Sequence, residues 1–137
     1  MTDAQPFSFP VRVYYEDTDA AGVVYYANYL KFMERARTEW LAALGFPLAA
    51  FEREHGVTFV VHRAEIDFKV PARLNDALAV TVEVVDRGAA RIVAHQQVLR
   101  GAALLTAARI TLACVDTARW RPTRLPTPLM QRLETPV

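Results

Sequence analysis

The chain has 137 residues, of which 53% are hydrophobic, and this composition suits one compact domain that spans residues 1–137. The formal net charge of +1 excludes a general electrostatic attraction to nucleic acid, so no nucleic-acid partner is expected. Cys114 is the only cysteine, which excludes an intrachain disulfide and indicates a reducing compartment, with the cytoplasm as the default location. The sequence has neither a secretory signal pattern nor an apolar run of membrane-spanning length, so we expect a soluble protein without a membrane span.

Several motifs of hydrolase and cofactor chemistry are absent from the sequence. Ser8 is the only serine and lies outside any Gly-x-Ser-x-Gly pattern, which excludes a serine-hydrolase elbow. There is no Gly-x-Gly-x-x-Gly or phosphate-loop motif, so a nucleotide cofactor is not expected. His55, His62 and His95 have no metal-ligand spacing among themselves or with Cys114. We therefore expect neither a metal nor a cofactor.

The first predicted element runs directly into an acidic turn. Residues 11–15 alternate between two sets of side chains, which is the period of a strand with one buried face. Three carboxylates, Glu16, Asp17 and Asp19, then fall within four positions, and Gly22 follows them as a backbone breaker. The pattern indicates a tight loop with polar side chains.

A long helix is predicted after this loop. Apolar residues recur at spacings of three and four over residues 26–44, and Gly45 and Pro47 end the pattern. The loop therefore brings a carboxylate to the amino-terminal end of a helix, where unpaired N–H groups and the positive end of the helix dipole can hold a carbonyl oxygen or an oxyanion. The alternative is that the acidic residues only form Asx turns or cap the helix.

The second half of the chain is predicted to be mainly β. Residues 46–55 are typical of a short helix that Gly56 closes. Residues 57–71 alternate strictly, which predicts a half-exposed strand with one apolar face, formed by Ala64, Ile66, Phe68 and Val70. An antiparallel meander follows, with strands at residues 78–86, 91–99 and 104–115. Residues 118–137 are expected to form a basic, proline-rich, solvated tail with room for one helical turn at residues 129–133.

Short segments spread over nearly the whole chain form a recognisable signature. They are residues 15–19, 22–25, 28–29, 32–39, 59–61, 71–76 and 114–116, together with Pro122 and Pro126. This set resembles the 4-hydroxybenzoyl-CoA thioesterase family, and within it the YbgC type that is associated with the Tol-Pal system of Gram-negative envelopes. The resemblance implies an α+β hotdog fold, in which a curved antiparallel sheet of about five strands wraps one long central helix. It also implies an acyl-CoA thioesterase that releases free acid and coenzyme A.

The resemblance implies roles for individual residues. Asp19 matches the catalytic carboxylate, as nucleophile or general base, and the backbone N–H of Tyr26 matches the group that polarises the thioester carbonyl. Many relatives of this type have His where this chain has Tyr26, so any role of that His is not carried over. Arg87 and Arg91 flank a turn at the position where related thioesterases hold coenzyme A phosphates. Asp17 is expected to shape the loop by accepting hydrogen bonds from local N–H groups.

Two further residues are candidates for substrate binding. Tyr25, in the aromatic cluster that precedes the helix, can wall an acyl pocket. His62 can act as an acid near the substrate, or it can be an ordinary surface histidine of a strand. A strand-edge homodimer is expected, because a lone hotdog leaves open sheet edges. The resemblance further implies that dimers pair into a homotetramer and that the active site lies between two subunits, so that Asp19 and the arginines come from different chains.

Three alternatives remain open at this level. A hotdog dehydratase or hydratase would need a histidine with an acid or amide partner, and His62 is the only plausible source of that histidine. A non-catalytic module would bind acyl carrier protein or an envelope protein, and the basic tail is the candidate contact for such an anionic partner. A third possibility is a catalytic Glu34, because another branch of hotdog thioesterases has its carboxylate on the central helix; ordinary helical charge pairing also explains Glu34.

Overall fold

The computed structural model describes residues 6–134 and is built around one antiparallel sheet. Its strands are β1 (Phe7–Arg12), β2 (Val57–Phe68), β3 (Ala77–Arg87), β4 (Arg91–Arg100), β5 (Ala103–Asp116) and the two-residue β6 (Arg121–Pro122). The first five lie in the order β1-β3-β4-β5-β2, and β6 pairs with β5. Because β3, β4 and β5 are consecutive both in sequence and in the sheet, the predicted meander is confirmed.

Three α-helices accompany the sheet, namely α1 (Asn28–Ala43), α2 (Leu48–His55) and α3 (Thr127–Glu134). The long helix α1 buries Phe32, Met33 and Ala36 in the main hydrophobic core, together with residues of all the long strands except β2. Burying a side chain of the size of Phe32 or Met33 contributes about 1.5–3 kcal/mol to folding. The sheet therefore covers the apolar stripe of the long helix, as predicted. Within residues 6–134, no helix combines the length and the apolar character that a bilayer crossing requires.

The first strand lies earlier in the chain than predicted. β1 ends at Arg12, and the residues expected to continue it form an extended link and a 3-10 turn at Tyr15–Asp17. Pro10 is accommodated within β1 because this strand is at the edge of the sheet, where a missing N–H leaves no ladder bond unmade. The predicted phase holds for Val11 and Val13, which are both buried, and was wrong for Tyr15, which is 82% exposed in the 3-10 turn.

The apolar face predicted for β2 is largely uncovered in the single chain. Ala64 is exposed, Phe68 and Val70 are 52% and 43% exposed, and only Ile66 is half-buried. The expectation of a buried face was wrong for one chain by itself because β2 is the other edge of the sheet. A long apolar edge strand without cover is unusual for a monomer.

The expectation of a solvated tail holds for residues 118–122, which are exposed, and is wrong for Leu125 and the helix that follows it, while residues 135–137 lie outside the described residues. Leu125 and Leu129 are buried with Leu41, Phe51 and other residues in a second hydrophobic cluster. A backbone hydrogen bond of 2.8 Å from Leu125 N–H to the carbonyl of residue 89 joins this segment to the turn between β3 and β4. The helix predicted at residues 129–133 is the longer α3, whose apolar side packs on this cluster.

The two ends of β2 define two ends of the molecule. At the Phe68 end lies the start of α1, where the rings of Tyr26 and Tyr29 are 6.3 and 5.6 Å from that of Phe68. At the Val57 end lie the carboxyl-terminal half of α1, helix α2 and the second hydrophobic cluster. With about 3.3 Å per strand residue, the ends are about 36 Å apart.

Candidate active site

Asp17 anchors the loop that precedes α1, which we call the acid loop (residues 14–27). Its side chain is only 3% exposed. Tyr14 N–H donates to Asp17 Oδ2 at 2.8 Å, and Asn28 Nδ2 donates to Asp17 Oδ1 at 2.9 Å. The Asp17 backbone carbonyl also accepts a hydrogen bond from Tyr25 N–H at 2.9 Å. Asp17 therefore ties the loop to the first turn of α1, and its predicted loop-shaping role is confirmed.

Asp19 lies at the exposed tip of the acid loop. Its N–H bonds to the carbonyl of Val23 at 2.9 Å, and its carbonyl accepts from Gly22 N–H at 3.0 Å. Gly22 has a φ of +79°, a left-handed conformation that favours glycine in this tight turn. Ala21 N–H donates to Asp19 Oδ1 at 2.8 Å, which is an Asx turn. No donor in residues 6–134 binds Oδ2, so the Asx turn orients the carboxylate and leaves one oxygen available.

The backbone at the start of α1 offers free hydrogen-bond donors. Tyr26 N–H has no acceptor in the described part of the chain, and neither has the N–H of Ala27, the N-cap residue. Unpaired N–H groups are expected in the first turn of a helix, where the dipole also favours negative charge. Sequence reasoning identified the Tyr26 donor and missed that of Ala27, because the helix begins at Asn28 rather than near residue 26.

Aromatic side chains surround these donors. A cavity of about 180 Å³ is lined by Val24, Tyr26, Tyr29, Phe68, Lys69, Val70 and Pro71. The Tyr25 ring centroid is 4.9 Å from that of Tyr26, so Tyr25 contacts this lining through its neighbour. The hydrogen bond between the two phenols raises the pKa of Tyr25. We name this the small cavity.

A larger cleft lies between α1 and β2 toward the Val57 end. Its volume is about 570 Å³, within the range of ligand pockets. Most of its wall is apolar, including Trp40, Leu41 and Phe59, but Glu34, Arg37 and Thr38 line it from α1. We call it the α1–β2 cleft. Sequence reasoning missed Arg37, because what distinguishes it is a contact with a residue 59 positions away in the chain.

The two arginines proposed for phosphate binding are at the Val57 end. Arg91 Nη2 is 2.9 Å from Asp86 Oδ2, and this hydrogen bond is the main reason that the pKa of Asp86 is lowered. Arg87 is half-buried and pairs with Ile92, and paired residues point to the same face of the sheet. Arg91 precedes Ile92 in β4 and pairs with Ala113, so Arg91 points to the opposite face. The strand register thus points the two side chains to different faces.

Within one chain, these arginines are remote from the acid loop. Arg91 pairs with Ala113, which pairs with Val60, whereas Tyr26 contacts Phe68. Eight strand residues separate these levels, which corresponds to about 26 Å. Asp19 and Tyr26 thus share the acid loop, whereas Arg87 and Arg91 lie apart from it.

His62 lies at neither cavity. It is the exposed residue at the bulge of β2, where the pairing with β5 shifts between Val61 and Arg63. No acid or amide in residues 6–134 forms a hydrogen bond or ion pair with its imidazole, and a dehydratase histidine needs such a partner. The dehydratase alternative therefore has no support in the geometry.

Comparison with known proteins decides the family. Residues 13–133 match the family described as the thioesterase-like superfamily. The chain belongs to this superfamily. It is 48% identical over 120 residues to the acyl-CoA thioesterase YbgC of Haemophilus influenzae, with 88% of each protein covered.

Further similarities support this membership. The chain is 42% identical over 121 residues to the acyl-CoA thioester hydrolase YbgC of Escherichia coli O157:H7, which covers 88% of this chain and 90% of that protein. The crystal structure of a probable thioesterase from Bartonella henselae superposes with a TM-score of 0.84 at 35% identity, covering 89% of this chain and all of that one. The resemblance stated from the sequence is confirmed, as are the α+β hotdog fold and the assignment to the thioester hydrolases.

Proposed function

We propose that this chain hydrolyses acyl-CoA thioesters with Asp19 as the reacting carboxylate and the Tyr26 N–H as the carbonyl donor. One observation carries the proposal: a carboxylate oxygen and a helix N-terminal N–H, both without partners in residues 6–134, lie on one short segment of a thioesterase-family chain. Asp17 supports both groups, because its buried bonds fix the backbone that carries them. Thioester hydrolysis therefore needs no nucleophilic side chain other than the Asp19 carboxylate.

The proposed hydrolysis uses the Tyr26 N–H, the Asp19 carboxylate and one water molecule. The thioester oxygen accepts a hydrogen bond from Tyr26 N–H, which stabilises the negative charge that develops when the carbonyl carbon is attacked. Asp19 either attacks that carbon itself, giving an acyl-aspartate that water then cleaves, or removes a proton from an attacking water. In both routes the carbon–sulfur bond breaks, one water is consumed, and the products are the free acid and coenzyme A with its thiol protonated.

Release of free thiol from a panel of acyl-CoAs tests this assignment. We expect Asp19→Asn to lose about two orders of magnitude or more in kcat for every substrate. Glu16→Gln is the matched control, because Glu16 is an exposed carboxylate of the same loop, and we expect it to keep wild-type activity. Full activity of Asp19→Asn, with loss in Glu34→Gln, would instead transfer the catalytic role to the helix carboxylate.

We also propose that two copies of the chain associate through β2. The other edge strand, β1, has six residues and contains Pro10, whereas β2 has twelve residues and contains no proline. Exposed apolar side chains, among them Val61 at 49% and Phe68 at 52%, lie along β2. Pairing of two such edges would bury these side chains and satisfy the free backbone groups.

Antiparallel pairing of two β2 strands has a consequence for the site. It brings the Phe68 end of one copy beside the Val57 end of the other. Asp19 and Tyr26 of one copy then lie beside the α1–β2 cleft of the second copy and at the strand level of its Arg91, which removes the separation along the strand of about 26 Å found within one chain. The dimer is therefore the smallest unit with a complete site, and a tetramer would be a pair of such dimers.

Solution mass tests the dimer. We expect a species of twice the 15.4 kDa chain mass, and we expect Val61→Lys to convert it to a monomer, because the substitution places a charge on the apolar edge that pairing would bury. Val85→Lys is the matched control, since Val85 on β3 is exposed to a similar extent, 45% against 49%. A wild-type monomer with full activity would contradict the two-copy site.

We further propose where the chain acts and which groups of its partners it binds. The chain acts as one hotdog domain in the cytoplasm, since its single cysteine is a buried free thiol. Coenzyme A is bound partly through Arg87 and Arg91, with Tyr25 and His62 close to the substrate on the paired edges. Acyl carrier protein is a candidate partner for the exposed basic residues Arg119, Arg121 and Arg124.

A further inference from the structure

A buried phenol joins the first turn of α1 to the segment between β2 and β3. Tyr29 is the second residue of α1 and is 3% exposed. Its hydroxyl oxygen accepts a hydrogen bond of 3.0 Å from the N–H of the fully buried Ala72, which lies in residues 69–76, here called the brace loop. The Tyr29 ring centroid is 5.6 Å from that of Phe68 and 6.1 Å from that of Phe32. A phenylalanine would make the same ring contacts, so the hydroxyl serves the bond to Ala72.

Ala72 is bonded on its other side to the acid loop. Its carbonyl accepts a hydrogen bond of 2.8 Å from Val24 N–H, and beside this bond Val23 and Arg73 form an antiparallel bridge. The Val23 carbonyl in turn accepts from Asp19 N–H at 2.9 Å. Ala72 therefore connects the start of α1 with the part of the acid loop that carries Asp19.

The brace loop is itself fixed to the sheet at both ends. The N–H groups of Lys69 and Val70 both donate to the carbonyl of Leu105 on β5, at 2.9 and 3.1 Å. At the other end, Asp76 Oδ2 accepts a hydrogen bond of 2.7 Å from Arg100 Nη1 at the end of β4. A loop held at both ends gives a fixed reference against which α1 and the acid loop are aligned.

The first turn of α1 depends on such an external tie because its own hydrogen bonds are long. Tyr29 N–H lies 3.4 Å from the carbonyl oxygen of Tyr26, and Leu30 N–H lies 3.2 Å from that of Ala27. The usual N–H···O distance in proteins is about 2.9–3.0 Å. Without the Tyr29 hydroxyl, the turn that carries the Tyr26 N–H would be held less firmly.

We propose that Tyr29 is a positioning residue for thioester hydrolysis, because its hydroxyl holds the Tyr26 N–H in a fixed place relative to the Asp19 carboxylate. The inference rests on the proposed function and adds one residue to it. A carbonyl donor is effective only where it meets the oxygen of the transition state, and a displacement of about 1 Å can cost about 100-fold in rate. Tyr29 acts through Ala72 and the helix turn, and it takes no part in bond breaking.

Tyr29→Phe tests the proposal, because it keeps the ring and removes only the hydroxyl. We expect kcat for the best acyl-CoA to fall about tenfold and KM to stay within about twofold of the wild-type value, since alignment in the transition state is lost and substrate binding is not. Thr81→Val is the matched control, because the buried Thr81 hydroxyl also accepts from a backbone N–H, that of Gln97 at 2.9 Å, but lies on β3. Both variants should lower Tm by about 3–5 °C, and only Tyr29→Phe should lower kcat.

A double variant separates positioning from a general loss of folded enzyme. In an Asp19→Asn background, Tyr29→Phe should reduce the residual rate by less than about twofold, because the carboxylate relative to which the donor is aligned is gone. A loss of folded protein would instead reduce the rate by the same factor in both backgrounds. Equal factors would therefore overturn the inference.

Amide hydrogen exchange of the substrate-free protein gives a readout that does not depend on turnover. In Tyr29→Phe we expect the N–H groups of Val24 and Ala72 to exchange at least about tenfold faster relative to the amides of β5, because the tie between the two loops and α1 is released. Thr81→Val should keep the wild-type ratio. An unchanged ratio in Tyr29→Phe would overturn the inference.

A second variant loosens the brace loop from its other end. Should Tyr29→Phe fail to fold, Arg100→Met removes the cation bound to Asp76, and we expect about a threefold lower kcat at unchanged KM. An unchanged kcat in that variant would overturn the inference. No hydrolysis of any acyl-CoA by the wild type would refute the proposed function and this inference together, whereas wild-type hydrolysis with full kcat in Tyr29→Phe would refute this inference alone.

Discussion

The two ends of the molecule hold their polar groups in different ways. At the Phe68 end, Asp17 is buried with both carboxylate oxygens paired, and next to it Asp19 is exposed with one oxygen free. At the Val57 end the polar groups lie in a cleft, and a buried amide holds Arg37 from behind. In both places a buried, fully paired side chain fixes an accessible one. In the proposed function, one end supplies the groups for bond breaking and the other the space for a substrate, so neither end is a complete site.

The largest effect on stability is expected at the Val57 end. Leu129→Ala should lower the free energy of unfolding by about 2–5 kcal/mol, because Leu129 is fully buried in the second cluster. Urea denaturation measures the loss. Arg132→Ala, an exposed position of the same helix, should change the stability by less than about 0.5 kcal/mol. Equal, small effects would mean that the carboxyl-terminal helix does not belong to the core.

The next largest effect distinguishes the structural role of Asp17 from the catalytic role proposed for Asp19. Asp17→Ala should cost about 2–3 kcal/mol of stability, since it leaves the Tyr14 N–H and the buried Asn28 amide without acceptors. Asp19→Ala should cost less than about 0.5 kcal/mol, because the residue is exposed, and yet should abolish hydrolysis. Thermal unfolding and thiol release on the same samples check both statements. A stable, inactive Asp17→Ala would reverse the assignment.

A smaller effect is expected for the phosphate contact. Arg91→Ala should raise KM for acyl-CoA about fivefold and leave kcat unchanged, as loss of one exposed charged contact predicts. The change should shrink in high salt, because exposed charges are screened. Steady-state kinetics at two ionic strengths measure it. An unchanged KM would show that the Asp86 ion pair is the only function of Arg91.

The smallest effect concerns the buried thiol. Burial raises the pKa of Cys114 to about 11, so the folded state favours the neutral thiol. Its contribution to stability is present below the pKa of an unfolded cysteine, near 8.5, and is lost as the pH rises toward 11. Wild type and Cys114→Ala should therefore converge in stability over this interval, as denaturation at several pH values would show. A constant difference across it would contradict the shift.

Periodicity predicted most of the fold, because the meander and the long helix are local patterns with one buried face. It misplaced β1, since a proline usually excludes a strand and the edge position of Pro10 is a property of the whole sheet. It also predicted a buried face for β2 that one chain does not provide. The carboxyl-terminal residues pack through Leu125 and Leu129, which the periodicity of the sequence does not identify as buried.

The candidate site divides in the same way. Asp17, Asp19 and Tyr26 lie within ten residues, so a local motif could identify them. The cleft could not be predicted, because Arg37 and Gln96 meet only when α1 packs on β4. The separation between Tyr26 and Arg91 likewise follows from the strand register and not from any spacing in the sequence.

The most direct test of a site shared between two copies mixes two inactive variants. Asp19→Asn removes the carboxylate, and Thr38→Trp fills the cleft that Thr38 lines. Refolded as an equal mixture, half of the dimers should contain one of each, and one of their two sites should carry both wild-type parts. We predict recovery to about one quarter of wild-type activity. No recovery, with mixed dimers present, would show that each chain completes its own site and would contradict the account.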